Sequence, residues 1–328
     1  LAMVLALAAC GSSAPAAATE APAASTEAPA EDVSADKTFV VGICQLVQHP
    51  ALDAATQGFK DALTEALGDK VTFQEQNASG DSATCSLICN QFVSDEVDLI
   101  MANATASIQA AASATNTIPI LGTSITDYGV ALGVDNWTGV SGTNISGTSD
   151  LAPLDGQAAV LKELCPDAKV VGILYCSGEP NSKFQADTIT PMFEELGLEV
   201  KEFTFADSND VSSVTANACS NADVLYIPTD NTAASCTEAI NNVALSAGIP
   251  IVAGEEGLAS GCGVATLSIS YYDLGRATGE MAAEILTEGA DISTMEVRFA
   301  PAFTKEYNAD ICEALNITAP EDYVAIAK

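Results

Sequence analysis

The sequence contains a single histidine, His49, which stands four residues before Asp53 in a polar stretch. A second polar stretch combines Thr229, Asp230 and Asn231. A carboxylate such as Asp230 can pair with a ligand ammonium, and hydroxyl and amide groups can bind other polar ligand atoms. The chain has no G-x-S-x-G, G-x-G-x-x-G or P-loop motif, so hydrolytic or nucleotide chemistry is not indicated. We therefore predict a binding site rather than an enzyme, and no cofactor.

Strand–loop–helix units that occur twice must position these side chains. Val40–Asp53 shows the order apolar strand, polar loop and helix, and Val170–Ser182 repeats it. Further matched pairs are Val97–Thr105 with Ala222–Asp230, and Thr117–Ile120 with Gly248–Ile251. Strands that alternate with helices are typical of parallel sheets covered on both faces. The predicted fold class is therefore α/β, with two Rossmann-like lobes of similar topology.

Polar side chains are concentrated in the loops that follow the predicted strands. Ligands of open parallel sheets bind just beyond the carboxyl ends of the strands, so two facing rims would enclose a small polar ligand. Candidate ligand-binding residues in the first half are Gln45, His49, Asp53, Thr105, Thr126 and Asp127. Those in the second half are Ser177, Glu179, Asn181, Ser182, Thr229, Asp230, Asn231, Glu255 and Tyr271. Helix N-termini that point into such a cleft would favour a carboxylate.

Several of these positions also have a purely structural explanation. Thr105, Asp230 and the 179–182 group stand where helix N-caps are expected. Asp53 lies in a first helical turn, where a carboxylate complements the helix dipole. His49 can be a cap or a hinge contact, and Tyr271 can be a core residue with its hydroxyl at the rim. Capping or packing and ligand contact therefore stand as alternatives for these residues.

The first residues, Leu1–Cys10, form an apolar stretch that is too short to span a bilayer. It reads as the truncated end of a signal peptide. Leu7-Ala8-Ala9-Cys10-Gly11 is similar to a bacterial lipobox, whose cysteine is acylated, for example with palmitate. The alternative is a signal peptide with an A-x-A cleavage site. Residues 11–36 are mostly Ala, Pro, Ser, Thr and Glu, which indicates a disordered tether. We therefore expect an exported protein, anchored by lipid at the outer face of the cytoplasmic membrane.

The net charge of −33 argues against nucleic acids and anionic membrane surfaces as partners, because both are negatively charged. Nine cysteines follow Cys10, and several lie within apolar strand or helix patterns. We expect mostly free thiols, with one or two disulfides as the alternative. Cys85 and Cys89 are four residues apart, but too few further ligands accompany them for a zinc site, so no metal is predicted.

A set of motifs along the whole chain resembles those of one family. The motifs are His49-Pro50-Ala51-Leu52-Asp53-Ala54, Gln57-Gly58-Phe59, Phe92–Ile100, Asn144–Leu151, Ser177–Ser182, Tyr226–Thr232 and Tyr271–Gly275. Through them residues 37–328 resemble ABC transporter substrate-binding proteins of the tryptophan/tyrosine type. The resemblance implies a type I periplasmic-binding fold, in which a three-segment hinge joins the lobes. It also implies a lipoprotein that serves a membrane permease and ATPase, with an amino acid, in the first place an aromatic one, as ligand.

The family fold also suggests the domain boundaries. Lobe I is expected at 37–149 and to be completed by about 272–295, and lobe II at 150–271, with about 296–328 crossing back at the hinge. One stretch, Tyr128–Thr143, departs from the family pattern and contains the only Trp. We expect Tyr128–Thr148 to form an edge strand and a connection, because it is rich in Gly and Ser and lacks periodicity.

Two other functions would suit the same fold. One is a sugar- or nucleoside-binding protein, and the other is a receptor component that presents its ligand to a sensor kinase. Sugar sites commonly combine several aromatic residues with Asp, Asn and Arg, but Arg276 and Arg298 are the only arginines of this chain. A ligand carboxylate would therefore depend on hydroxyl groups and helix N-termini.

Overall fold

The computed structural model describes residues 37–327. The predicted signal peptide, Cys10 and the tether 11–36 lie outside the described residues. The strands are β1 (Phe39–Gln45), β2 (Val71–Asn77), β3 (Leu99–Asn103), β4 (Ile120–Ile125), β5 (Ile145–Ser149), β6 (Val170–Cys176), β7 (Glu199–Phe205), β8 (Val224–Ile227), β9 (Ile251–Ala253), β10 (Ala265–Ser268), β11 (Arg298–Phe299), β12 (Thr304–Tyr307) and β13 (Val324–Ala325).

Helices connect most of these strands. The helices are α1 (Pro50–Leu67), α2 (Ser82–Ser94), α3 (Thr105–Ala114), α4 (Tyr128–Leu132), α5 (Leu154–Leu164), α6 (Pro180–Glu195), α7 (Val211–Cys219), α8 (Asn231–Ala234), α9 (Thr237–Ala247), α10 (Glu256–Cys262), α11 (Tyr271–Glu288) and α12 (Ala309–Ala314). Short 3-10 turns occupy Gly68–Lys70 and Ile292–Thr294.

Two sheets organise the described chain. The first has six strands in the order β11-β5-β4-β3-β1-β2, and we call the part of the chain built on it lobe I. The second has seven strands in the order β13-β12-β10-β9-β8-β6-β7 and forms lobe II. All neighbouring strands are parallel except β10 and β12. The strand order reverses beside β1 and beside β6, and such switch points are where open α/β sheets bind ligands. The predicted fold class is confirmed.

The chain passes between the two sheets at three places, namely 150–153 after β5, 269–270 after β10, and 300–303 after β11. We call these stretches the crossing segments. The polypeptide between the second and third crossings contributes α11 and β11 to lobe I, whereas the last residues add β12, α12 and β13 to lobe II. Each lobe is therefore made of stretches that are far apart in the sequence.

The pair of helices α1 and α11 covers one face of the lobe I sheet. Phe59 and Leu63 of α1 are fully buried with Met281 of α11, as the helical spacing of the apolar residues of α1 predicts. The backbones approach so closely that a Cβ atom at Gly58 or Gly275 would overlap a backbone carbonyl of the other helix. The two helices are therefore joined by direct backbone packing.

Two sequence expectations differ from the structure. Tyr128–Leu132 is the short helix α4, and β5 is not an edge strand because β11 pairs with it on the outer side. Tyr128 fixes α4 by donating to the carbonyl oxygens of Gly122 and Thr148, and Trp137 stacks on its ring at 5.8 Å between centroids. The aromatic residues of this departing stretch therefore have a packing role beside β4 and β5.

All nine cysteines of the described chain are free thiols, so the alternative of one or two disulfides is not seen among residues 37–327. Six of them are buried. The hydrogen bond with Cys85 lowers the pKa of Cys44, but the hydrogen bond with Cys89 and burial together raise it to about 12, so the thiolate form is disfavoured. No helix in the described range combines the length and the apolar character that crossing a membrane requires.

Candidate functional site

A small cavity lies between the lobes, beside the first two crossing segments. It is lined by His49, Leu52, Ser124, Thr126, Asp150, Asn181, Thr229, Asp230, Asn231, Ala234, Glu255 and Tyr271. Its volume is about 10 Å³, which is about the space of one water molecule. We call it the deep cavity. Both lobes contribute to its wall, so separation of the lobes would widen it.

Two hydrogen bonds across the cleft hold the lobes together at this cavity. His49 Nε2 lies 3.3 Å from Asn231 Oδ1, and Thr126 Oγ1 lies 3.3 Å from Thr229 Oγ1. Both distances are at the long end for hydrogen bonds, so these contacts are weak. We therefore expect the closed arrangement to be easily opened.

Unpartnered polar atoms are concentrated at the deep cavity. Six buried side-chain N or O atoms in residues 37–327 have no hydrogen-bond partner, and four belong to residues that line this cavity. These four atoms are His49 Nδ1, Ser124 Oγ, Asp150 Oδ1 and Asn181 Oδ1. A buried polar atom without a partner costs about 1–3 kcal/mol, and unsatisfied native groups commonly mark functional sites. Their convergence from four chain segments identifies the cavity as the candidate binding site.

A larger groove adjoins the deep cavity, and Asn181 and Asn231 line both. The groove has a volume of about 300 Å³, which lies at the small end of the range for ligand pockets. Its apolar lining includes Leu46, Val47, Ala106, Pro180 and Ala206. Neither lining contains a Lys or an Arg. The groove therefore suits an uncharged side chain better than an anionic one.

The carboxylate of Asp230 lines the deep cavity but is engaged within lobe II. Its Oδ1 accepts from the backbone N–H of Ala233 at 2.7 Å, which is the capping alternative described for this residue. Its Oδ2 accepts from the N–H of Cys176 at 2.7 Å and from the hydroxyl of Ser182 at 2.8 Å. Burial, and next the charge of Glu179, raise the pKa of Asp230 well above its ordinary value. Contact of Asp230 with a ligand stays a prediction.

Glu179 binds the first turn of α8 from the preceding loop. Its Oε1 accepts from the backbone N–H and the hydroxyl of Thr232, at 2.8 and 2.7 Å. Its Oε2 accepts from the backbone N–H and the side-chain amide of Asn231, at 2.9 and 2.7 Å. Glu179 therefore positions Asn231, the residue that reaches across the cleft to His49.

Glu255 lines the deep cavity and caps α10. Its side chain accepts from the backbone N–H groups of Gly257 at 2.6 Å and Leu258 at 2.5 Å. Burial raises the pKa of Glu255 to about 7, although these hydrogen bonds favour the carboxylate. Both oxygens face the helix backbone, so capping accounts for its position.

Because the pKa of Glu255 is raised, we expect the free energy of unfolding to fall as pH rises through the titration of this group. The unfolded chain has the ordinary pKa of 4.5, so between 4.5 and about 7 the folded protein holds a proton that the unfolded chain releases. The contribution of protonated Glu255 to the free energy of unfolding is fully present below pH 4.5. It is lost as pH rises past 7, which lowers the free energy of unfolding by on the order of 3 kcal/mol. We expect Glu255→Gln to flatten this part of the pH dependence, as measured by urea unfolding at pH 5 and pH 8.

The matched control is Glu280→Gln, because Glu280 is an exposed glutamate of α11. That variant should follow the pH dependence of the wild type. If the free energy of unfolding of Glu255→Gln changed between pH 5 and pH 8 as much as that of the wild type, the carboxyl group of Glu255 would not titrate as described.

Asp150 belongs to the first crossing segment and is 5% exposed. Its Oδ2 accepts from the hydroxyl of Tyr271 at 2.9 Å, and Tyr271 is the first residue of α11 after the second crossing. Burial raises the pKa of Asp150 above its ordinary value, while the nearby hydroxyls of Tyr271 and Thr126 offset part of the rise. Asp150 therefore connects the first crossing segment to the start of α11, and its other oxygen is buried without a hydrogen-bond partner at the deep cavity.

The structure brings most of the predicted site residues to the two cavities. The deep cavity is lined by the candidates His49, Thr126, Asn181, Thr229, Asp230, Asn231, Glu255 and Tyr271, and the groove by Thr105, Glu179, Asn181 and Asn231. Thr105 is not the N-cap of α3, because Ala104 holds that position with φ 84° and no side-chain cap.

Five candidates, Gln45, Asp53, Asp127, Ser177 and Ser182, line neither cavity. Gln45 donates to Asp53 at 2.6 Å and accepts from the hydroxyl of Thr56 at 2.6 Å, which holds the loop after β1. The other three also have local hydrogen bonds. Asp127 caps α4, Ser177 donates to the carbonyl of Phe205, and Ser182 donates to Asp230. Contact of these five residues with a ligand stays a prediction, and in this closed arrangement their hydrogen bonds support the loops around the cavities.

Sequence reasoning missed Ser124 and Asp150. Ser124 lies within β4, but a register shift between β4 and β5 and a φ of 55° turn it out of the regular strand pattern. Asp150 lies on a crossing segment rather than in a loop between a strand and the helix of the same lobe. The available signal was an acidic residue between the strand sequence Ile145–Ser149 and the apolar residues Leu151 and Ala152.

Comparison with known proteins places this architecture in one family. A family model described as ABC transporter substrate binding protein matches residues 40–328. A protein of Clostridioides difficile named tyrosine-binding protein is 38% identical over 280 residues, which cover 84% of this chain and 81% of that protein.

Solved structures show the same fold. A Streptococcus pneumoniae ABC domain in complex with L-Trp has a TM-score of 0.83 at 32% identity, over 87% of this chain and 97% of that one. The ligand-free, open structure of a Clostridium difficile substrate-binding protein with adhesive properties has a TM-score of 0.68 at 38% identity, over 89% and 100% of the chains. The shape of this chain is thus closer to the tryptophan complex although its sequence is closer to the open protein, which agrees with its closed cleft.

The predicted resemblance is confirmed by the extent of these matches and by the two-lobe fold. This chain belongs to the ABC transporter substrate-binding protein family.

Proposed function

We propose that this protein captures an aromatic amino acid between its lobes and delivers it to the permease of an ABC importer. The observation that carries the proposal is the convergence of four buried, unpartnered polar atoms on one interlobe cavity that adjoins a groove of about 300 Å³. The related proteins named for tyrosine and crystallised with tryptophan support the choice of ligand class.

The groove offers a place for the ligand carboxylate. Helix α3 begins at the groove with Thr105 and Ala106 and has no side-chain cap at its N-terminus. The first backbone N–H groups of a helix lack intrahelical acceptors and favour an anion. The apolar part of the lining then remains for an uncharged side chain.

Closure of the lobes would make the site selective. A bound amino acid that contacts both lobes favours the closed arrangement over the open one, because its contacts are complete only there. We further propose that the predicted lipobox Cys10 anchors the protein at the outer face of the cytoplasmic membrane. The sequence Leu7–Gly11 and the composition of residues 11–36 support this anchor and tether.

A thermal-shift screen of the purified protein tests the ligand class. We expect L-tyrosine or L-tryptophan to raise the melting temperature, since a ligand at 100 times its Kd stabilises the folded state by about 2.7 kcal/mol. Sugars and nucleosides serve as controls and should leave the melting temperature unchanged. Stabilisation by sugars alone, with no response to any amino acid, would contradict the proposal.

A further inference from the structure

The hydrogen-bonding character of the deep cavity can be determined atom by atom. Asn231 donates through its amide Nδ2 to Glu179 at 2.7 Å, so its Oδ1 faces His49 as an acceptor. His49 Nε2 must then carry the proton of that contact. Burial lowers the pKa of His49 below its ordinary value, so the ring is neutral at pH 7 and Nδ1 is an acceptor.

Asn181 has a fixed orientation as well. Its Nδ2 donates to the carbonyl oxygen of Thr229 at 3.0 Å, and a flipped amide would place two acceptors against each other. The Oδ1 atom therefore faces the cavity as an acceptor, and it has no partner. The side chain is 4% exposed, so solvent does not compensate for the missing partner.

Asp150 is the carboxylate of the deep cavity that can offer its negative charge to a ligand. Three carboxylates line the deep cavity, but those of Asp230 and Glu255 have both oxygens occupied by groups of their own lobe. Asp150 has one oxygen on Tyr271 and one without a partner. No Lys or Arg lines the cavity to neutralise it. A buried carboxylate in this situation favours a cationic donor.

We propose that the deep cavity is a subsite for a primary ammonium group, held by the three acceptors Asp150 Oδ1, Asn181 Oδ1 and His49 Nδ1. A primary ammonium has three N–H donors, one for each acceptor. It is about as large as a water molecule, which agrees with the cavity volume of about 10 Å³. The inference rests on the proposed function in taking the α-ammonium of an amino acid as the occupant.

The three acceptors come from lobe I, lobe II and a crossing segment, respectively His49, Asn181 and Asp150. An ammonium bound to all three would join both lobes, so it stabilises closure as well as binding. Ligands without this group would lose that link.

Isothermal titration calorimetry of the full chain with L-tyrosine and L-tryptophan tests the subsite on the wild type. Their analogues without the amino group, 3-(4-hydroxyphenyl)propanoate and 3-(indol-3-yl)propanoate, should bind at least about 100-fold more weakly, because they leave Asp150 buried and unpaired. N-methyl-L-tyrosine should also bind more weakly, because its methyl group exceeds the cavity. Equal affinity of an amino acid and its desamino analogue would overturn the inference.

Substitutions test whether Asp150 is responsible for the difference in affinity between an amino acid and its desamino analogue. Asp150→Asn keeps the shape of the side chain and an acceptor for Tyr271. In this variant, the affinity for L-tyrosine divided by the affinity for its desamino analogue should fall at least about tenfold relative to the wild type. Asn181→Leu should also lower this ratio of affinities, and it provides the test if Asp150→Asn does not fold. The matched control is Asp291→Asn, since Asp291 caps the 3-10 turn Ile292–Thr294 and lines neither the deep cavity nor the groove. An unchanged ratio in both test variants would overturn the assignment.

The two proposals fail in different ways. If the wild type binds neither L-tyrosine nor L-tryptophan, the aromatic ligand class is wrong, and a screen of the remaining L-amino acids and of tyramine and tryptamine then tests the subsite. Binding of a primary amine that Asp150→Asn weakens would still support the ammonium subsite. No binding of any primary amine would overturn it.

Discussion

Gly275→Ala should destabilise the protein by at least about 3 kcal/mol, although alanine is the better helix former by about 1 kcal/mol. The Cβ atom of an alanine would come closer than 3.0 Å to the backbone carbonyl oxygen of Ala55. Backbone atoms of two packed helices cannot move aside as a flexible side chain can, so α1 and α11 would have to separate. Chemical denaturation followed by circular dichroism measures the change in the free energy of unfolding.

Gly156→Ala is the matched control for this prediction. Gly156 also lies within a helix, α5, but its added Cβ would meet the end of the Leu267 side chain, which can rotate. Its effect should stay within about 1 kcal/mol of the wild type, because helix propensity and a small packing change oppose each other. If Gly275→Ala were as stable as Gly156→Ala, backbone contact would not be what joins α1 to α11.

A disulfide across the cleft should abolish ligand exchange. Thr126 and Thr229 approach each other from opposite lobes with 3.3 Å between their hydroxyl oxygens. Sulfur atoms in place of these oxygens could bond at about 2.05 Å with little movement of the backbone. In the oxidised Thr126→Cys/Thr229→Cys protein we expect the association rate of L-tyrosine to fall at least about 100-fold, because the binding-competent open form is no longer populated. Stopped-flow fluorescence with and without a reductant measures it.

The Thr126→Cys single variant controls for the loss of the threonine and for pairing with native thiols. Cys165, Cys219 and Cys236 are the half-buried cysteines, and the other native thiols of the described chain are buried, so mispairing is expected to be minor. Rapid binding by the oxidised double variant, with the disulfide verified by mass spectrometry, would contradict the idea that ligands enter by separation of the lobes.

The sheets were predictable because their strands are continuous apolar stretches followed by polar loops. Strand β1 has one intermediate residue and otherwise buried ones, and β6 follows the same pattern, as expected for parallel strands between helices. Helix α10 was not predicted because Glu256–Cys262 includes Gly257 and Gly261, which weaken the helical signal. Its start depends on the side chain of Glu255, a residue outside the usual set of N-caps.

The candidate site was predictable where a polar residue follows a strand end. His49, Asn181 and Thr229 were identified in this way, and all three line the deep cavity. The sequence could not distinguish residues that contact the ligand from residues that support the site. That distinction depends on whether each oxygen of a carboxylate already has a hydrogen-bond partner within the protein. Asp230 and Asp150 are both buried acidic residues at the cleft, and only their three-dimensional hydrogen bonds distinguish them.

The three crossing segments also determine the order in which the elements of each lobe are synthesised. Lobe I lacks α11, the helix that packs on α1, until residue 288 has been made, and lobe II lacks β12 and β13 until the last residues. Contacts between α1 and α11 join residues more than 200 positions apart, and such non-local contacts form slowly. Lobe I therefore has all of its strands only after residue 299 has been made, and lobe II only after residue 325. Interleaving of the two lobes in the sequence thus separates the start of the first strand of each lobe from the start of its last strand by more than 150 residues.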